Sequence, residues 1–256
     1  MNLQTSEVFP DEDIENIIWG GFSLIQKKKG FRFGIDAYLL ADFTKLKPRE
    51  KIIELGTGTG IISLLLTAKR PHVNITALDI QAEMTDLAKR SIGLNNLSNI
   101  KIVTEDIRTA PDTLGKGNFT LVVSNPPYFP VKAGEHSPHA GRAISRTEIL
   151  CSLEDLINSA ALLLNYGGRF CFIHRPSRLP EILTTLQKYR LEAKRMRLVF
   201  PYANKEPNLV LIEARKDAGQ ELRILPPLFV YDQPGEYSQE IKRFFEQDQS
   251  EGHRGC

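Results

Sequence analysis

Residues 119–128, Phe-Thr-Leu-Val-Val-Ser-Asn-Pro-Pro-Tyr, carry an apolar run straight into a stiff polar corner. Leu121, Val122 and Val123 read as a strand covered on both faces of a parallel sheet. Pro126 and Pro127 lack an N–H and have fixed φ, so the ladder stops there and carbonyls are left without their usual donors. The corner thus offers the Asn125 carboxamide oxygen, the Pro126 carbonyl and the Tyr128 ring at a sheet's carboxyl edge, where open α/β sheets bind ligands. A planar exocyclic amine suits it. Its two N–H groups would donate to Asn125 and to the Pro126 carbonyl, turning the nitrogen lone pair toward an electrophile, while Tyr128 stacks on the attached ring. The plainer alternative is a turn that merely ends a strand, with Tyr128 as core filler.

A second constellation precedes it. Gly56, Gly58 and Gly60 lie between a strand and a helix, where glycine lets backbone approach a ligand and offers N–H groups at a helix N-terminus. The dinucleotide pattern would need glycine at position 61, which is Ile61, and no Walker lysine follows. The spacing points to a nucleoside without a pyrophosphate. Asp79, 23 residues after Gly56, is placed to accept ribose hydroxyls; Asp106 is placed to accept from an adenine amino group, with Ile80 and Ile107 as apolar walls. Singly each aspartate reads as a loop or cap residue; together, after successive strands, they read as a site. Glu54 is either an acceptor for loop amides or a contact to a cationic ligand end.

Composition bounds the rest. A length of 256 residues accommodates one large α/β domain with a modest appendage. The net charge of +2 excludes a histone-like polycation, so any nucleic-acid contact must come from placement. No apolar run is long enough to span a bilayer and no export signal is visible, which predicts a cytoplasmic protein. Cys151, Cys171 and Cys256 form no CxxC; Cys151 and Cys171 are expected in the core. His136 and His139 have no carboxylate or cysteine partners at metal-ligand spacing, so no metal is expected.

These residues need an α/β frame. Residues 1–34 read as an arm or hairpin, with Lys27, Lys28 and Lys29 at a turn beside Phe31, Arg32 and Phe33: either a solvated turn or a phosphate-contacting patch. Asp36 is expected to cap a helix over 37–43. Strands over 52–55, 73–78, 100–103, 119–123 and 169–173 alternate with helices over 61–69, 82–94 and 153–164, predicting a doubly wound, mostly parallel sheet over residues 35–247. Strands over 191–200 and 209–214 read as an antiparallel hairpin closing the sheet's edge, and 248–256 as a disordered tail. The polar stretch 130–148 is a long loop after the corner, in which Lys132, Arg142 and Arg146 could grip phosphates. Arg175, Arg178, Lys194, Arg195 and Arg197 could extend that face, although each alone reads as solvated surface.

Taken together, Glu54-Leu-Gly-Thr-Gly-Thr-Gly60 and Asn125-Pro-Pro-Tyr128 resemble the cofactor loop and amine-binding motif of class I S-adenosylmethionine-dependent N-methyltransferases. More narrowly, residues 31–43, Asn125–Phe129, 226–231 and 235–238 are similar to the family that methylates N6 of an adenine beside the anticodon of a valine tRNA. The resemblance implies a Rossmann-like fold, S-adenosylmethionine as cofactor and tRNA as partner. It implies that Asp36, Glu54, Gly56, Thr57, Gly58, Gly60, Asp79, Ile80, Asp106, Ile107 and Asn125 hold the cofactor. Asn125, Pro126, Pro127 and Tyr128 would hold the flipped adenine. Lys27, Lys28, Lys29, Arg32, Lys132, Arg142 and Arg146 would contact RNA. Two other readings stay open: methylation of a release-factor glutamine, whose amide poses the same geometric problem, and a non-catalytic RNA-binding module. Only about 50 residues precede the loop, which favours RNA over the protein substrate, whose enzymes typically carry a helical domain there.

Overall fold

The structure, a computed structural model, describes residues 7–29, 32–126 and 151–246. Its centre is a sheet built by alternation of short apolar strands with helices. In chain order these are β3 (Lys51–Leu55), α2 (Ile61–Lys69), β4 (Asn74–Asp79), α3 (Ala82–Leu94), β5 (Ile100–Thr104), α4 (Ala110–Leu114), β6 (Phe119–Ser124), α5 (Leu153–Leu163) and β7 (Leu164–His174). Strands β5, β4, β3, β6 and β7 pair in parallel in that spatial order, so their carboxyl ends share one edge. Ile52, Ile53, Leu121, Val122 and Val123 are fully buried, as a sheet covered on both faces demands.

The expected edge hairpin exists, but its order differs. After α6 (Leu179–Lys188), β8 (Leu191–Phe200) and β9 (Leu209–Lys216) pair antiparallel, and it is β9 that lies against β7. The outer edge of β8 is then covered by β10 (Arg223–Ile224) and β11 (Leu228–Phe229), so β8 is not the last strand. Since β8 runs parallel to β7, its carboxyl end, Phe200, reaches the same edge as Ser124 and His174. A small hairpin, β12 (Tyr231–Gln233) with β13 (Glu236–Tyr237), leads into α7 (Gln239–Glu246). β7 begins at Leu164 rather than Arg169, directly from α5 and with a register shift opposite Phe119–Leu121.

The amino-terminal hairpin pairs β1 (Glu12–Asn16) with β2 (Ser23–Lys27) and docks on α3, where the Ile25 and Ser23 amides donate to Ser91 Oγ and Asn95 Oδ1. Arg90 of α3 grips the buried Glu12 through two nitrogens. Between the hairpin and β3 stands α1 (Ile35–Phe43), apolar almost all round: Ala37, Tyr38, Leu39, Leu40, Ala41 and Phe43 are buried. Such a helix must be enclosed. Asp36 is not its cap. Gly34, extended at φ −113°, occupies that position, and Asp36 sits in the first turn with its Oδ1 accepting the Ala37 N–H. The other end of α1 is held tightly. Lys69 Nζ donates to the carbonyls of Ala41, Asp42 and Thr44 at 3.0, 2.7 and 2.9 Å, and Arg195 donates to the Phe43 carbonyl while lying 4.3 Å above its ring.

Those carbonyls are the orphans of a helix end, and one ammonium serves three of them. Lys69→Met keeps the stem but removes the charged donor that three carbonyls share, two of them partly buried. Urea unfolding should show a loss of roughly 2–3 kcal/mol, the range for hydrogen bonds to a charged donor; an unchanged midpoint would contradict the clamp.

Candidate functional site

The carboxyl edge of the parallel strands opens into a cavity. On one side it is lined by Leu55, Gly56, Asp79, Ile80, Asp106 and Ile107, five of which belong to the expected nucleoside site. On the other side stand Ser124, Pro126, His174 and Arg178, with Cys151, Ser152, Leu153 and Leu156 from the start of α5.

Each wall has a local cause. Gly56, Gly58 and Gly60 all have positive φ, at 73°, 55° and 91°, which folds the loop back on β4: the Gly56 and Thr57 amides both donate to the Leu78 carbonyl. Gly60 is the N-cap of α2. Asp79 ends β4, nearly buried, with Oδ2 accepting the Gly58 N–H at 3.0 Å and Oδ1 the Gln81 N–H at 2.9 Å. A carboxylate has about four lone-pair sites, so both oxygens retain capacity for hydroxyls. Burial pushes the Asp79 pKa up, and these amides oppose the shift.

Asp106 reaches the cavity but carries a partner: Arg108 pairs with it, the bond holding its pKa below the usual value. Glu54 is fully buried between β3 and α2, accepting from the Ser63 hydroxyl; desolvation raises its pKa to about 7. Its Oε1 and the Thr57 hydroxyl are buried without a hydrogen-bond partner among the described residues. The Thr57 hydroxyl is nonetheless near enough to Glu54 to oppose the rise in its pKa.

Asn125 stands between two residues that line the cavity, Ser124 and Pro126. Its Nδ2 donates to Asp36 Oδ2 at 3.0 Å, across 89 residues, tying the corner to α1. Ser124 fixes the strand end by donating to the Leu55 carbonyl at 2.8 Å. Asn125 does not line the cavity, nor do Glu54, Thr57, Gly58 and Gly60; Ser124 to Pro126 is the rim between the cavity and the α1 side. Asp36 therefore contacts Asn125, not the cavity wall.

The basic run pairs with acids from residues 11–15 and from α3. Lys27 pairs with Asp11, Glu12 and Glu83, Lys28 with Asp13, and Arg32 with Asp13 and Glu15. Lys29 is exposed, and the pairs of Lys28 and Arg32 are solvent-exposed and weak, so these ion pairs do not decide whether the run contacts phosphate. Of the further cations, Lys194, Arg195 and Arg197 are bound to Glu221, Glu213 and Glu240, and Arg175 donates to the Asn208 carbonyl. Arg178, paired with Glu181, stands at the cavity instead. Pro127, Tyr128, Lys132, His136, His139, Arg142, Arg146 and Cys256 lie outside the described residues.

Sequence reasoning passed over His174 and Cys151. His174 ends β7 where strand register carries it level with Pro126; its Nδ1 accepts the Arg175 N–H, and burial lowers its pKa to about 4, so it is neutral at pH 7. Cys151 was expected in the core with Cys171. Cys171 is, but Cys151 is only half-buried on the cavity wall, its thiol pushed up to about 12 by desolvation. A chemically reactive residue type at the carboxyl end of a parallel strand was the available signal for His174. Among the described residues no group of three or more His, Cys, Asp or Glu side chains could hold a metal, and no helix is long and apolar enough to cross a membrane.

Known proteins with this arrangement settle the family. The methyltransferase small domain matches residues 33–196, spanning both the glycine loop and the Asn125 corner. The chain belongs to that family. It is 30% identical over 234 residues to a Porphyromonas gingivalis protein named tRNA1(Val) (adenine(37)-N6)-methyltransferase, covering 88% of this chain and 91% of the relative. A relative of the same name from a Flavobacteriaceae bacterium is 29% identical over 221 residues, covering 86% and 91%. In fold, the chain is similar to a solved Agrobacterium tumefaciens protein described as a predicted O-methyltransferase, with a TM-score of 0.67 at 22% identity over 83% of this chain and 96% of that one.

The methyltransferase uses S-adenosylmethionine, and the residues present fit it. Built Cβ atoms at Gly56 and Gly58 would meet nothing within 4 Å, leaving the loop open to a ligand, and Asp79 keeps acceptor capacity beside it. Two outcomes follow. Gly58→Ala, at positive φ and with its methyl in the space kept clear, should lower S-adenosylmethionine affinity at least about tenfold by calorimetry; affinity within twofold would contradict the cradle. Glu54 holds a proton in the folded state that the unfolded chain releases, so its contribution makes stability fall as pH rises from about 4.5 to about 7. Glu54→Gln should remove roughly 3 kcal/mol of that fall, read by urea unfolding at the two ends of the window.

Proposed function

We propose that the protein transfers a methyl group from S-adenosylmethionine to N6 of an adenine in a tRNA anticodon loop, adenine 37 of a valine tRNA being the nucleotide for which its relatives are named. The observation that carries this reading is the Asn125 carboxamide, held by Asp36 on the rim of the nucleoside cavity.

A carboxylate can only accept, so Asp36 binds the nitrogen end of the amide, and the oxygen is the end that would accept an N–H from a substrate amine. The amine would enter from the α1 side, with its two hydrogens accepted by Asn125 Oδ1 and the Pro126 carbonyl. When bound, the cofactor supplies an electrophilic methyl and leaves as a neutral thioether. The chain's part is placement. Asp79 and the glycine loop would fix the ribose, Ile80, Ile107 and Leu156 enclose the adenine, and the corner aligns the lone pair. Tyr128 would stack on the flipped base. No general base is needed before transfer, since the amine attacks in its neutral form.

The experiment is nucleoside mass spectrometry of tRNA from cells with and without the gene, together with Asn125→Ala assayed in vitro. Loss of N6-methyladenosine from the deleted strain supports the reading; unchanged tRNA with an unmethylated release-factor glutamine would replace it. Asn125→Ala should bind S-adenosylmethionine within about twofold of wild type yet lose roughly 100-fold or more in turnover. Near-normal turnover would contradict the assigned role.

A further inference from the structure

Aromatic rings run in one file from the helix that carries Asp36 to the carboxyl end of β8. Inside, they meet edge-on: Trp19 with Tyr38 at 85°, Trp19 with Phe244 at 82° and Tyr38 with Phe245 at 69°. Outside, the geometry changes. Beyond Phe245, Tyr237 and Tyr231 stack with centroids 5.1 Å apart and planes 13° apart, and Tyr202 lies 5.5 Å from Tyr231 at 30°. All three tyrosines are half-buried, so this part of the file borders solvent.

Stacked and edge-to-face pairs both fill cores, as the buried Phe170–Phe172 stack does, and what sets the three tyrosines apart is their contact with solvent. Tyr202 is the end of the stack. It opens the turn after β8, closed by the Lys205 N–H donating to the Tyr202 carbonyl at 3.1 Å, and Lys205 itself is exposed. The Tyr231 amide bonds to the Pro201 carbonyl, which anchors the rings to the strand end. That strand end shares its edge with Asn125. The order β8, β9, β7, β6 places three strand spacings between them, about 14 Å at the usual separation. The file also lies on the α1 side, the side to which Asn125 turns.

We propose that Tyr202, backed by Tyr231 and Tyr237, is a stacking platform for an unpaired base next to the methylated adenine, with Lys205 facing the adjoining phosphate. The inference rests on the tRNA reading above and names how that RNA is held. A single-stranded loop is the occupant these features suit: its bases have flat faces at any sequence, and stacking on aromatic rings contributes substantially per base. In the amino-terminal hairpin, Lys27 and Lys28 pair with nearby acids while Lys29 is exposed.

The test measures binding of an unmodified valine tRNA transcript by fluorescence anisotropy and S-adenosylmethionine binding by calorimetry. Tyr202→Ala should weaken tRNA binding by roughly 5- to 100-fold, while S-adenosylmethionine affinity stays within about twofold. Tyr202→Phe keeps the face and should bind tRNA within about twofold of wild type. Tyr202→Leu keeps apolar bulk without a π-face, so it should fold even if the alanine variant does not, and bind tRNA as weakly as expected for alanine. Wild-type tRNA affinity in Tyr202→Leu, or equal losses in the phenylalanine and leucine variants, would overturn the platform. If wild type methylates tRNA while Tyr202→Leu binds normally, the platform alone is wrong; if wild type methylates a release factor and not tRNA, both proposals fall.

Discussion

One hydrogen bond gives the rim its direction. Asn125 could present either end of its amide, and the two ends are opposites, one accepting and one donating. Asp36 removes the choice, because a carboxylate beside Nδ2 is satisfied by only one orientation. That selection is only as firm as the helix bearing Asp36. α1 is held by burial on nearly every side and by Lys69 and Arg195 at its far end. The polar network under the sheet thus serves the corner at a distance: Arg195 also binds Glu213, which Arg169 approaches, and Arg169 is paired to the buried Glu50.

The parallel sheet supplies the other half of the arrangement. Five strand ends at one edge put Gly56, Asp79 and Asp106 in one cavity wall with Ser124 and Pro126, which flank Asn125. Backbone amides already occupy part of Asp79, so the loop and the carboxylate preform each other. Glu54 is different. It stays fully buried, its charge disfavoured by desolvation and only partly restored by the Ser63 and Thr57 hydroxyls.

Much of this was readable in the chain. Strand and helix alternation, the glycine spacing and the Asn-Pro-Pro-Tyr stop are local signals; the parallel core is where they pointed, and Gly56, Asp79, Ile80, Asp106 and Ile107 line one cavity at its edge. What was missed is relational. Asp36 looked like a cap because aspartate before an apolar run usually is one; its partner is 89 residues away. The acids that pair with Lys27, Lys28 and Arg32 come from residues 11–15 and from α3, contacts that no local pattern announces. Asp106 is paired by Arg108 two residues on, a local contact that could have been anticipated. The order of β8 and β9 depends on which strand reaches β7 first, which no periodicity encodes.

The central claim is that Asp36 aims the Asn125 carboxamide, and Asp36→Asn tests it most directly. Asparagine is close in shape, but its own amide can donate, so the selection between the two ends of Asn125 is lost. Single-turnover methylation of tRNA by this variant should be slower by roughly 100-fold at saturating S-adenosylmethionine, with cofactor affinity unchanged. A single-turnover rate equal to wild type would contradict the account.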